Sequence, residues 1–119
     1  MHLEYQPPDR RLLPLCRHKL RSEEFYCFRD AIIFLGRVAG KTELPLLDSL
    51  RGGNHRVKEQ SATVESLIRQ AHDFVRAKLA IGDQPPGVRH YKLRKLYDQY
   101  HLFEYKPRSR EPERQQPER

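Results

Sequence analysis

A chain of 119 residues, 33% of them charged, with a formal charge of +7, has the size of one domain. Both ends are polar, so its core must come from roughly 80 central residues: enough for three or four helices, with little room for a deep catalytic cleft. The basic excess is spread, +3 over residues 1–21, +2 over 22–105 and +2 over 106–119, and favours an anionic partner: RNA, an anionic membrane face or an acidic protein.

Residues 1–21 read as an extended N-terminal segment, because Pro7, Pro8 and Pro14 each turn the preceding residue away from helix. A short helical turn fits Leu15–Arg21. The spacing predicts a first helix over 23–38, with Ser22 as its N-cap, Glu23 and Glu24 in the first turn, Arg37 in the last and Gly40 beyond. Phe25, Phe28, Ile32 and Leu35 recur at helical spacing. Ala31, Ile33, Phe34 and Val38 widen the stripe almost to the full circumference, so this helix is expected to be buried on several sides.

A second helix is predicted over 43–51. Thr42 caps it, Pro45 is tolerated in its first turn, Leu44, Leu47 and Leu50 form its apolar side, and Gly52-Gly53-Asn54 ends it. A third is predicted over 61–81 behind Ser61. Val64, Leu67, Ile68, Ala71, Val75 and Leu79 repeat at three and four residues, Phe74 widens the stripe, and Gly82 with Pro85-Pro86 terminates it.

Residues 83–105 form a basic, tyrosine-rich extension in which 88–103 allow a fourth short helix, with Leu93, Leu96, Tyr97 and Tyr100 on one face. The tail, 106–119, offers no apolar surface and is expected to be disordered or draped over a partner. The expected fold is all-α: a three-helix antiparallel bundle over 22–82, the fourth helix, and extended polar segments at both ends.

Little in the residues points to catalysis. There is no carboxylate pair apart from helix-surface charges and no phosphate-binding glycine loop. Cys27 lies among aromatics, where a packed thiol is expected rather than a nucleophile. Cys16 and Cys27 form no C-x-x-C and cannot staple a secreted scaffold, so free thiols in a reducing compartment are expected. No two of the six histidines share the i, i+4 spacing of a metal-binding helix, so neither a metal site nor a cofactor of the chain's own is expected. The longest apolar run, Ala31–Leu35, is too short to span a bilayer, and MHLEYQPPDRR has no apolar core of a secretory signal. Tyr91, Tyr97 and Tyr100, interleaved with Arg and Lys, suit RNA stacking. The spacing 93, 96, 97, 100 favours instead an amphipathic helix with half-buried tyrosines.

The order of parts carries a more specific signal. CFRDAIIFLGR lies in the first predicted helix, LRGGN ends the second, and VESLIRQA lies in the third. This order resembles the LYR-motif family of small mitochondrial three-helix proteins. That family has L-Y-R near the start of its first helix, F-R-x-N with a basic residue at the end of its second, and I-x-x-L with an aliphatic residue in its third. Here Cys27-Phe28-Arg29 stands for the tripeptide, Ile32 for its downstream leucine and Leu50-Arg51 for phenylalanine-arginine, with Asn54 displaced by one. Cys27 replaces leucine, Phe28 tyrosine, Ile33 a second arginine and Leu50 phenylalanine. A second register, Leu15-Cys16-Arg17-His18-Lys19-Leu20-Arg21, also fits L-x-R-x-x-L-R.

The resemblance implies a non-catalytic adaptor, accessory subunit or assembly factor of a larger mitochondrial complex, on the matrix side of the inner membrane or in the matrix. Family members bind the mitochondrial acyl carrier protein, which supplies an acyl-4′-phosphopantetheine group. Its acyl chain would enter a tunnel lined by Ile32, Leu47, Leu50, Leu67, Ala71 and Phe74, at about 0.8 kcal/mol per buried methylene. The basic rim facing the acidic carrier would be Arg29, Arg37, Lys41, Arg51 and Arg56. The rival reading is a basic RNA- or mitoribosome-associated structural protein with no acyl ligand.

Overall fold

The computed structural model of the chain describes residues 2–107. Five α-helices form among them: α1 (Leu13–Lys19), α2 (Phe25–Val38), α3 (Leu44–Arg51), α4 (Ser61–Ile81) and α5 (Pro86–Gln99). Short 3-10 turns precede and follow, at Leu3–Tyr5, Arg10–Leu12, Lys41–Glu43 and His101–Phe103. No strand occurs among the described residues. The fold is therefore all-helical, as the periodicity predicts.

The apolar run around Ala31–Leu35 becomes the spine of the core. All six residues from Ala31 to Gly36 are buried, because α2 meets α1, α4 and the turns at Leu3–Tyr5 and His101–Phe103. A helix covered on so many sides needs the nearly all-round apolar surface that the sequence gives it. The longest helix, α4, packs on α2, α3 and α5, burying Val64, Leu67, Ile68, Ala71, Phe74 and Val75.

The architecture departs from a plain three-helix bundle. Segments 25–38, 44–51 and 61–81 hold the three expected helices, α5 stands where 88–103 allowed a fourth, and α1 overlaps the short turn expected over Leu15–Arg21. The N-terminal segment is not simply extended. Pro14 sits in the first turn of α1, where its missing N–H costs no helical hydrogen bond. Helix α1 then buries Leu13 and Cys16 and packs along α2.

Two caps also move. The cap of α2 is Glu24, whose carboxylate accepts the Cys27 N–H at 2.8 Å, while Ser22 Oγ accepts the Glu24 N–H at 3.0 Å. Thr42 does not cap α3; its hydroxyl donates to Glu43 at 2.7 Å within a 3-10 turn. The expectation of a disordered tail falls mostly on residues 108–119, outside the described residues.

Two buried carboxylates fasten the additions to the spine. Asp30 accepts the backbone N–H groups of Leu3 at 2.7 Å and Glu4 at 2.8 Å and pairs with the Lys19 ammonium. Glu43 accepts both Arg10 amine groups at 3.0 and 2.9 Å and the Gly40 N–H at 2.7 Å. Burial alone would raise the Glu43 pKa; Arg10, the Gly40 N–H and the Thr42 hydroxyl outweigh it and hold it at about 2, against an ordinary value of 4.5.

A depressed folded-state pKa stabilises the fold above the unfolded value, and that contribution is lost as the pH falls through the folded value. Glu43 should therefore weaken the fold between about pH 4.5 and about pH 2. Thermal midpoints measured across that range should fall, and Glu43→Gln should be less stable at neutral pH with a shallower acid decline. An acid decline identical to that of the wild type would contradict this role.

At the C-terminal end the close contact is at Gly36. A Cβ added there would collide with the Phe103 ring, which stacks on Phe74 with ring centroids 5.2 Å apart. Arg37 fixes the same turn by donating to the Leu102 carbonyl at 2.9 Å. Gly36→Ala should displace Phe103 and destabilise the protein by about 1–3 kcal/mol, the range for overpacked cores. Chemical denaturation reads this directly, and Phe103→Ala in the Gly36→Ala background should recover none of the lost Phe74 stacking.

Candidate docking site: a basic cleft beside the end of α3

The glycines that end α3 hand the chain to a loop, 52–60, that turns back over the α1–α2 corner. Gly53 takes φ of 97°, a left-handed conformation open to glycine at little cost. Val57 buries its side chain, and the His55 ring lies 5.5 Å from the Phe28 ring. These contacts bring the loop to α1 and to the start of α2.

Two clefts meet there. One, of about 310 Å³, is lined by Arg17, Leu20, Arg21, Leu46, Leu50, Asn54, His55 and Arg56. The other, of about 280 Å³, is lined by Leu50, Arg51, Gly52, Gly53, His55, Glu65, Ile68 and Arg69. Leu50 and His55 belong to both. A third hollow, of about 490 Å³, adjoins the first through Arg21 and Arg56 and reaches His18, Lys19, Ser22 and Cys27.

The floor is apolar and the walls are cationic. Arg17, Arg21, Arg56 and Arg69 have no side-chain hydrogen bond or ion pair among the described residues. Four other arginines are tied to carboxylates: Arg10 to Glu43, Arg11 to Asp9, Arg29 to Glu4 and Arg94 to Glu104. Unpaired guanidinium groups converging on one place repel one another unless an anion joins them. Their planar donors suit carboxylate and phosphate.

Arg51 is held differently. It donates to His72 Nδ1 at 3.2 Å and to Asp73 at 3.4 Å. His72 is buried, and its Nε2 lies 2.6 Å from Asp48 Oδ1. The hydrogen bonds fit a neutral ring that donates from Nε2 to Asp48 and accepts at Nδ1 from Arg51. That arrangement sets Arg51 at the edge of the second cleft and leaves it 44% exposed.

The five residues expected as a rim separate into groups. Arg51 and Arg56 come together around Leu50 and His55. Arg29 pairs with the Glu4 carboxylate at 3.1 Å, and Arg37 donates to the Glu4 carbonyl at 2.7 Å, so both are occupied in holding the N-terminal turn. Lys41 opens the 3-10 turn before α3 and is exposed. In the motif segment, Phe28 is fully buried while Cys27 and Arg29 are partly exposed in the first turns of α2.

The six residues expected to line a tunnel, Ile32, Leu47, Leu50, Leu67, Ala71 and Phe74, are all buried in one core cluster. Leu50 also reaches the two clefts. The thiols differ in setting. Cys16 donates to the Ala31 carbonyl at 3.2 Å, and burial pushes its pKa up to about 12; Cys27 borders the third hollow. Among the described residues no three His, Cys, Asp or Glu side chains gather to hold a metal ion, and no helix is long and apolar enough to cross a membrane.

Arg17, Arg21 and Arg69 also line the clefts and are not among the residues expected as a rim. The second motif register, Leu15 to Arg21, contains the first two. No family model, curated protein or solved structure matches this chain.

Proposed function

We propose that the protein is a non-catalytic adaptor that receives an acidic carrier protein on the basic cleft beside the end of α3. The observation that carries the reading is the convergence of Arg17, Arg21 and Arg56, unpaired, over a floor of Leu20, Leu46 and Leu50. An acidic helix laid across those arginines gains complementary charge, and its apolar residues cover the floor. The resemblance to the LYR-motif family supplies the partner: the acyl carrier protein of the mitochondrial matrix. In this reading the pair docks onto a larger mitochondrial complex, and the segments outside 22–82 add contact area.

The acyl part of the reading carries a mechanical condition. Leu47, Leu67, Ala71 and Phe74 are packed in the core, so an acyl chain enters only if α3 and α4 part beside Leu50 and Ile68. Each methylene then gains about 0.8 kcal/mol from burial, less the core contacts it displaces. Arg51, held by His72 and Asp73 at that edge, stands where a phosphate on the carrier's arm can be met.

Native mass spectrometry of the full chain isolated from mitochondria tests the reading. An added carrier mass with bound phosphopantetheine is expected. Copurified RNA with no carrier would favour the structural, ribosome-associated reading instead.

A further inference from the structure

The first two turns of α5 stand clear of the molecule. Every residue from Pro85 to Lys92 is exposed. The helix is anchored by its second half, where Leu96 is buried and the Tyr97 ring lies 5.7 Å from Phe74, with Tyr100 just beyond the helix at 5.8 Å. This half satisfies the amphipathic pattern; the first half presents its side chains to solvent.

Val88, Tyr91, Lys92 and Lys95 fall at i, i+3, i+4 and i+7, one face of the helix. Tyr91 is 61% exposed and Val88 42%. The Lys95 ammonium lies over the Tyr91 ring at 5.4 Å from its centroid, which steadies the ring beside a positive charge. The nearby carboxylates are already engaged: Arg94 binds Glu104 at 2.7 Å and Asp98 at 3.5 Å. Lys92 and Lys95 have no carboxylate partner among the described residues, and Arg89 donates only to the Gly82 carbonyl, at 3.4 Å.

We propose that this outward face of α5 binds single-stranded nucleic acid, with Tyr91 stacking on a base and Arg89, Lys92 and Lys95 meeting phosphates. A strand with π-faced bases and a charged backbone complements both features at once. An acidic amphipathic helix fits less well. It would need an apolar stripe to pack on, and beyond Val88 and Tyr91 this face continues as Lys92, Lys95 and Gln99. Two apolar residues are also too few to seat the helix in a lipid surface. The proposal does not depend on the carrier-binding cleft, which is lined by Arg17, Arg21, Leu50 and Arg56, whereas α5 is anchored at Phe74.

Fluorescence anisotropy of labelled 12-nucleotide RNA and DNA strands with the full chain tests it. The wild type should bind at low salt. With three phosphates neutralised, affinity should fall about 20-fold between 50 and 200 mM salt. Lys92→Glu with Lys95→Glu should abolish binding, and Tyr91→Ala should weaken it by at least about 5-fold. Arg21→Glu with Arg56→Glu, which removes the same net charge, should weaken it less than the lysine pair does, and circular dichroism should show all variants folded. Equal binding of both strands identifies base and phosphate as the ligand; a preference for RNA adds the 2′-hydroxyl, and either result supports the proposal. It is overturned if neither strand binds, including the case where an acidic helical peptide binds α5 instead. It is also overturned if binding survives the lysine reversals and is lost with Arg21 and Arg56.

Discussion

Asp30→Ala should destabilise the protein by about 3–5 kcal/mol, the cost of breaking a buried, hydrogen-bonded ion pair from one side. Asp30 is 4% exposed. Its removal takes the Asp30 carboxylate away from the Lys19 ammonium, whose side chain is 13% exposed, and leaves the Leu3 and Glu4 N–H groups without their acceptor. A domain has only about 5–15 kcal/mol of stability to lose. Asp30→Asn keeps the volume but turns an acceptor pair into one acceptor and one donor, so it should recover only a minor part. Burial alone would raise the Asp30 pKa; Lys19 and the two backbone N–H groups outweigh it and hold it below the usual range. The pair is thus formed at neutral pH and fails only in acid. Urea denaturation followed by circular dichroism measures the change, and a loss under about 1 kcal/mol would contradict the clamp.

The consequence reaches the docking site. Asp30 joins the N-terminal turn and the end of α1 to α2, and α1 carries Arg17 with Arg21 just beyond it. Loosening the clamp should therefore blur the cleft before the α2–α4 core melts. The sequence held a readable signal for this. An aspartate in the middle of FRDAIIFL, on a helix apolar almost all round, has nowhere to go but inward and must be paired. Its partners, Leu3, Glu4 and Lys19, lie 11 to 27 residues away, and local periodicity carries no information at that range.

The same distinction separates what was legible from what was not. The positions of α2, α3 and α4 follow from apolar spacing and from Gly52-Gly53 and Gly82. Helix α1 showed only as a short turn over Leu15–Arg21 because three prolines mask its start, although Pro14 at a first turn is compatible with a helix. At both places a glutamate takes the backbone donor: Glu24 accepts the Cys27 N–H while Ser22 accepts the Glu24 N–H, and Glu43 accepts the Gly40 N–H while the Thr42 hydroxyl donates to Glu43. Of the cations expected as a rim, Arg51 ends α3 and Arg56 follows in the loop, and both line the clefts. Arg29 and Arg37 were equally basic in sequence, but the N-terminal turn claims them through Glu4. Only the fold decides which cations are paired and which remain free.

That difference leads to the second large effect. Arg21→Glu combined with Arg56→Glu should lower the affinity for an acidic carrier protein by at least about 100-fold, because like charges facing one another across an interface cost several kcal/mol. Both residues are exposed and unpaired among the described residues, so stability should change by no more than about 0.5 kcal/mol per site. Arg29→Glu should behave in the opposite way. It places a carboxylate against Glu4 and loses the 3.1 Å bond, so it should weaken the N-terminal contact and leave carrier affinity nearly intact. Equal losses of affinity at Arg29 and at Arg21 with Arg56 would mean that the cleft is not the docking surface.

The most direct measurement is a calorimetric titration of the wild-type full chain with acylated acyl carrier protein at low and high salt. A one-to-one complex is expected at low salt and should weaken as salt screens the free arginines. Carrier with its acyl chain removed should bind more weakly, by the burial that the chain no longer supplies. No detectable complex at low salt, with both proteins folded, would contradict the central claim that this chain is a carrier-protein adaptor.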